Sequence, residues 1–384
     1  MSRVAIKREV LRWAIDRSGL TMDDLQRKFP KARQWDAGES QPTLRQLEDL
    51  ARLTLTPLGF FFLAEPPEER LPVPYFRTLG HERPSRPSPD LLETIQVMQQ
   101  RQAWMREYLI EQGQEPLPFV RSAQPPEPCA LVAERLTRAI GLEEGWAAQT
   151  PTWTLALRTL REAAEAAGIL AVFNGVVGNN THRKLSPDEF RGFVLVDDYS
   201  PLVFVNAADG KAAQMFTLAH ELAHVVFGSS AAFDLRELQP ADDSTEQASN
   251  RVAAEFLIPE RELRGIWPSV KGQPEPFQAI ARRFKVSAIV AARRALDVGL
   301  VQKRAFLDFY HAYQADERRV LGARPKGGDF CATQNLRVGR RFGSAVIRAA
   351  TEGKLLYSDA YKLTGLYGRS FDRYAADLQI RVPR

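Results

Sequence analysis

Thirteen residues restrict this chain more than any others: FTLAHELAHVVFG, Phe216 to Gly228. The stretch is apolar at Phe216, Leu218, Ala219, Leu222, Ala223, Val225, Val226 and Phe227. A helix built from it is therefore buried on nearly every side. Yet it carries His220, Glu221 and His224, and such groups need partners once they leave water. The chain holds only five histidines, and two of them stand here four residues apart. A step of four along an α-helix turns about 400°, which returns both imidazoles to one face, one turn apart. That placement suits two ring nitrogens on one Zn2+ at roughly 2.0–2.1 Å. Glu221 lies about 100° round from His220, where it flanks an ion without competing as a ligand. Zinc would lower the pKa of a water towards about 7, and the carboxylate would take its proton as the water attacks a carbonyl.

A catalytic zinc takes a third protein ligand and leaves one position to water. The next predicted helix offers two acids, Glu246 and Glu255. They are nine residues apart, about 180° round a helix, so both cannot face one metal. Glu246 shares a face with Asn250 and is the chosen ligand, with Glu255 in reserve. Ligand type alone admits Mn2+ or another divalent ion in place of zinc.

The remaining chain divides by composition. Residues 1–65 form a helical domain, with apolar spacing in VLRWAIDRSGL, an N-cap at Thr21, and Pro42-Thr43 opening another helix. The aromatic run at 60–62 reads as its core. Residues 66–127 are a proline-rich linker and a helix from Leu91 to about Gln112. Within 128–300, helices at 128–143 and 152–167 precede three strand-like runs, GILAVFNGVVG, FRGFVLVDD and PLVFVNAAD. The motif helix follows at about 211–227, then a polar stretch, a helix over about 245–257 and a helical pair in FQAIARRFKVSAIVAARRALDVGL. Residues 301–384 are a helical, basic tail with a glycine-rich break at RPKGGDF. The expected fold is α+β.

These three segments, FRGFVLVDDYSPLVFVN, FTLAHELAHVVFG and EQASNRVAAEFLIP, occur in the order found in the ImmA/IrrE-type zinc metallopeptidases, which the chain resembles over roughly 150–265. Val252, Ser249, Phe256 and Ile258 depart from that pattern without touching a proposed ligand. The resemblance implies a minimal, thermolysin-like (gluzincin-like) core with a small sheet. It implies that His220, His224 and Glu246 hold Zn2+ and that Glu221 is the general base. It also implies a protein substrate, since some such peptidases cleave a partner repressor. The N-terminal domain resembles the Xre-type helix-turn-helix, retaining Trp35, Gly38, Pro42 and Thr43. Pro30 stands where a reading helix would start, and too little chain remains for one of the usual length. The domain is therefore read as degenerate. A structural or protein-recognition role is favoured, and Lys31, Arg33 and Gln34 are the residues left for DNA.

The expectation is a zinc-dependent endopeptidase acting on a repressor or antitoxin-like protein, with DNA admitted as a second partner through the N-terminal domain. The rival is a DNA-binding regulator, or an interaction module of a toxin–antitoxin or phage-defence system, whose peptidase fold serves as sensor or scaffold. The charged N-terminus and two distant cysteines, Cys129 and Cys331, fit a reduced cytoplasmic setting. No run approaches the ~18–20 apolar residues that span a bilayer. The net charge of +5 permits nucleic-acid contact without demanding it. His81, His182 and His311 stand alone. In the tail, GKLLYSDAYKLTGLYGRSFDRYAADL has the rhythm of helix, turn, helix. Its Tyr357, Tyr361, Tyr367 and Tyr374 are read as core. Arg337, Arg340, Arg341 and Arg348 are read as an ordinary solvated stretch.

Overall fold

A computed structural model of the chain describes residues 3–69, 87–229, 231–233, 244–315 and 329–380. His81, most of the glycine-rich break and most of the polar stretch after the motif helix lie outside them. The described residues form an α+β protein, mostly helical with a small sheet, in two units. One takes in 3–69 and 87–96; the other holds 97 onward. Among the described residues no helix is long and apolar enough to cross a membrane.

The first unit contains α1 (Arg8–Ser18), α2 (Met22–Lys28), α3 (Ala32–Ala37) and α4 (Leu44–Leu53). Capping boxes start α2 and α4: Thr21 accepts from the Asp24 amide, and Thr43 from that of Gln46. The four helices share a core of Val10, Leu11, Leu25, Trp35, Leu47, Leu50 and Phe61. Helix α3 has only six residues, as the position of Pro30 foretells. The aromatic run forms a short 3-10 helix in which Phe61 is buried and Phe60 packs against the core. Phe62 departs from the core reading, being 56% exposed.

In the second unit, α6 (Cys129–Ala139) and α7 (Trp153–Ala166) precede a four-stranded sheet. Its strands are β1 (Leu170–Asn174), β4 (Gly192–Leu195), β5 (Leu202–Asn206) and β6 (Ala231–Phe233), in the order β1-β5-β4-β6. β1 runs parallel to β5 with Leu170 opposite Leu202, while β4 is antiparallel to both its neighbours. Strands β2 (Val176–Val177) and β3 (Asn180–Lys184) make a separate hairpin. β3 and β6 escape the sequence reading: β3 is polar and mostly exposed, and β6 is three residues long.

Every residue of β1, β4 and β5 is buried, so the sheet is covered on both faces and reads as continuous apolar runs. Ala171, Phe173, Val194, Val203 and Val205 join the main core with the motif helix α8 (Lys211–Phe227). On the strands' other residues, Phe193 and Phe204 stack at 4.9 Å. Helices α9 (Ser244–Leu257), α10 (Glu260–Val270), α11 (Pro276–Phe284), α12 (Ala288–Asp297) and α13 (Lys303–Ala315) follow.

The tail comprises α14 (Phe330–Gln334), a π-helical turn (Asn335–Gly339), α15 (Arg340–Thr351), α16 (Tyr357–Thr364) and α17 (Arg369–Asp377). The π turn lies along β1, the sheet's outer strand on that side. Arg101, on α5 (Pro89–Glu111), is buried and donates to the carbonyls of Leu363, Arg337 and Thr364. Arg337 also bonds Asn179. Arg337 and Arg341 are half-buried, whereas Arg340 and Arg348 are exposed, so the solvated reading of the basic stretch holds at two of its four arginines. Tyr374 is core, but Tyr367 is 63% exposed, so the core reading fails at that tyrosine.

Candidate metal centre

Asn206 and Gln214 set how the chain enters α8. Asn206, at the end of β5, accepts from the Ala208 amide and donates to the Phe190 carbonyl. Gln214, in the first turn of α8, donates to the carbonyls of Ala207 and Asp209. At the other end Gly228 adopts the left-handed conformation and closes the helix. The amides of Arg121 and Ala123 bond to the carbonyls of Val225 and Val226, so the last turn is satisfied by a crossing segment. The helix between these anchors is almost wholly buried, as its apolar composition predicts.

His220 and His224 meet one turn apart, with their Nε2 atoms 3.0 Å from each other. Glu246, in the first turn of α9, reaches both: Oε1 lies 3.1 Å from His224 Nε2, and Oε2 lies 3.3 Å from His220 Nε2. All three residues are buried, and their ligating atoms lie within 4.8 Å of one another. Donors held at 2.0–2.1 Å in a tetrahedron stand about 3.3 Å apart, close to the spacings found. The chemistry agrees as well. Burial lowers the His220 pKa to about 4, and the neighbouring His224 adds to the shift. That keeps the ring neutral, the form in which an imidazole can ligate a metal. Burial opposes ionisation of Glu246 too, but hydrogen bonds and attraction to the two imidazoles outweigh it and hold the carboxyl well below its ordinary range. Two ring nitrogens and a carboxylate gathered at one buried point fit a cation there.

Glu221 is wholly buried, and neither carboxylate oxygen has a hydrogen-bond partner among the described residues. Burial, then the charge of Glu246, pushes its pKa well above the usual carboxylate value. Its space is made by a residue the sequence reading passed over. A Cβ on Gly192 of β4 would stand 2.5 Å from Thr217 Cγ2, 2.8 Å from the Phe204 carbonyl and 3.1 Å from Glu221 Oε1. Only glycine lets β4 pass this close to α8. The glycine in FRGFVLVDD gave no such warning, since one glycine in a strand pattern marks close approach without naming the partner.

Glu255 is not gathered to this point. It forms an ion pair with Arg294 of α12, and its other oxygen accepts the Glu260 amide at the start of α10. Its reserve role therefore lapses, because the carboxylate joins three helices. His182 is exposed on β3, and His311 stacks edge-on with Tyr310 of α13; neither approaches the centre.

No curated protein matches the chain significantly. Residues 338–377, spanning α15 to α17, match the model of a domain of unknown function, DUF8813. Residues 164–296, from the end of α7 to α12 and including every residue of the centre, match the model of the IrrE N-terminal-like domain, Peptidase_M78, which supports placing this part of the chain in the ImmA/IrrE-type peptidase family.

Proposed function

We propose that the chain is a zinc-dependent endopeptidase of the cytoplasm that cuts another protein. The observation carrying this is the convergence of His220 Nε2, His224 Nε2 and a Glu246 oxygen beside an unpartnered, buried Glu221. His220, His224 and Glu246 would hold the ion. When bound, it would supply a water of lowered pKa and polarise a carbonyl. Glu221 follows His220 directly, so its carboxylate flanks the ligands instead of joining them. From that place it accepts a proton from the attacking water and returns it to the departing amine.

The substrate class follows from the family likeness: a transcriptional repressor or an antitoxin-like protein, encoded with this chain. The N-terminal helical unit would hold that partner near the centre and raise its effective concentration. A role for that unit in reading DNA has weaker support. Its short α3 carries Arg33, which is tied to Asp23 at 2.7 Å and to Gln26 at 2.7 Å.

The test is elemental analysis of purified parent, Glu246→Ala and Glu255→Ala, with proteolysis of the co-encoded partner. About one zinc per chain is expected, lost only in Glu246→Ala, and Glu221→Gln should keep the metal yet leave the partner uncut. A parent that binds no metal when zinc is supplied would sink the reading.

A further inference from the structure

Most large apolar side chains exposed on the described residues are scattered, but Leu44, Leu55, Phe62 and Leu63 fall close together in the N-terminal unit. Single exposed apolar residues need no explanation, whereas a gathering of them does. Leu44 opens α4 and is 47% exposed; Leu55, just past the end of that helix, is 37% exposed. At 100° per residue, Leu44, Glu48, Ala51 and Arg52 lie within about 100° of one another round the α4 axis, and so form one stripe. The stripe runs into a groove of about 440 Å³ whose lining includes Glu48, Ala51, Arg52, Leu55 and Leu58.

The corner beside the groove is fixed in an unusual way. Leu55 has φ of 53°, a conformation that glycine takes at helix ends and that costs a bulky side chain. It is held by Arg17, which donates to the Leu55 carbonyl at 2.8 Å. A leucine kept there with its side chain partly in solvent does little for the unit alone. Charge along the same helix alternates in sign, through Arg45, Glu48, Asp49 and Arg52. Arg45 and Glu48 have no ion-pair or hydrogen-bond partner among the described residues. Arg52 has Asp49 at 3.7 Å, with both side chains exposed.

That pattern is its own complement. A second α4 laid antiparallel to the first, about a two-fold axis near residue 50, brings unlike groups together. Glu48 stands two residues, about 3 Å, to one side of the axis and Arg52 as far to the other, so each Glu48 faces the second copy's Arg52. Leu44 stands six residues, about 9 Å, from the axis, level with Thr56 of the second copy, where the groove lies. The four charges sum to zero, as self-pairing requires; a wholly acidic or basic ligand would meet its own sign.

We propose that this face is an isologous contact between two copies of the chain. Leu44 of each copy seats in the groove of the other, and Glu48 pairs with Arg52 across the axis. The contact closes on itself, so association stops at the dimer. The proposal does not rest on the peptidase reading.

Sedimentation velocity of the full chain at about 1 and about 100 μM tests it, because a contact limited to one helix face is small and holds on the order of micromolar. The parent should be mainly monomer at the lower concentration and mainly dimer at the higher. Leu44→Asp should weaken association at least tenfold, and an acid in the first turn suits the helix itself. Glu48→Arg and Arg52→Glu should each weaken it at least fivefold, since each sets like charges opposite one another at two places. The two changes together in one chain restore opposite charges across the axis and should bring association back to within threefold of the parent. Leu131→Asp, at an exposed leucine of α6, should leave association unchanged. The proposal is overturned if the parent stays monomeric at 100 μM or if it assembles beyond the dimer. It is overturned equally if Leu44→Asp associates like the parent, if the double reversal recovers nothing, or if Leu131→Asp weakens association as much as Leu44→Asp.

Discussion

Glu165 makes stability depend on pH in a direction opposite to that of most carboxylates. It lies at the end of α7, buried, where its Oε1 accepts the Arg340 amide at 3.2 Å and the Arg161 guanidinium stands 4.0 Å from Oε2. Burial dominates over both, so the pKa rises from 4.5 to about 7. The folded protein therefore holds this proton more tightly than the unfolded chain does. Stability from this group is complete below pH 4.5 and is lost as pH rises through about 7. With those two pKa values, linkage gives a loss of about 1 kcal/mol at pH 5 and about 3 kcal/mol at pH 8. Glu165→Gln keeps an oxygen for the Arg340 amide and removes the titration. Urea unfolding of parent and variant at both pH values, followed by tryptophan fluorescence, isolates the effect, because other titrating groups cancel in the difference. The stability difference should move by about 2 kcal/mol in favour of the variant between pH 5 and pH 8. An equal difference at the two pH values would refute the assignment, and a shift in the parent's favour would reverse its sign.

Other consequences can be checked alongside. Gly192→Ala should cost about 1–3 kcal/mol through overpacking against Thr217 and the Phe204 carbonyl. It should cut hydrolysis at least tenfold by displacing Glu221, while bound metal stays near one per chain. Arg101→Met strips donors from the carbonyls of Arg337, Leu363 and Thr364. It should destabilise the second unit by about 3–5 kcal/mol, read as a lower urea midpoint with the first unit's transition unmoved. Arg294→Met leaves the half-buried Glu255 without its cation and should lower thermal stability by several degrees with metal content unchanged, which separates it from Glu246→Ala. A chelator should lower the melting temperature of the parent, and should do so far less in Glu246→Ala, since only a folded state that binds the ion is stabilised by it.

What could be read in advance depended on the range of the signal. The motif helix was legible to the residue, 211–227, because burial on all sides, a glycine stop and a four-residue histidine step are all local features. Glu246 was legible as a position on a face, since helical geometry allows one of two acids to meet the histidines. Why it is Glu246 and not Glu255 was written elsewhere, in Arg294 on a helix nearly forty residues later. The same limit hid Gly192, whose partners are Thr217 and the carbonyl of Phe204. β3 was lost because its residues are polar and exposed, so no alternation marks it. Tyr367 was misplaced because its neighbours Tyr361 and Tyr374 do face inward, and periodicity was carried through a turn that breaks it.

The basic stretch of the tail teaches the converse. Counted as charge, Arg337, Arg340, Arg341 and Arg348 look like a surface. Their placement divides them: Arg337 bonds Asn179, and Arg341 is half-buried near Glu165, while the Arg340 and Arg348 side chains are exposed and only the Arg340 amide serves Glu165. The π turn that carries this stretch explains the division. It presents the Asn335 carbonyl to Arg161 and the Arg337 carbonyl to Arg101, two buried cations that a regular helix would leave facing bonded oxygens. Positive charge on one side and carbonyl oxygen on the other hold the tail to the α7–β1 edge of the sheet. Further on, Arg369 and Arg373 are exposed as well, where the chain has already been anchored. A change at Glu165 or Arg101 therefore reaches the tail without touching His220, His224 or Glu246.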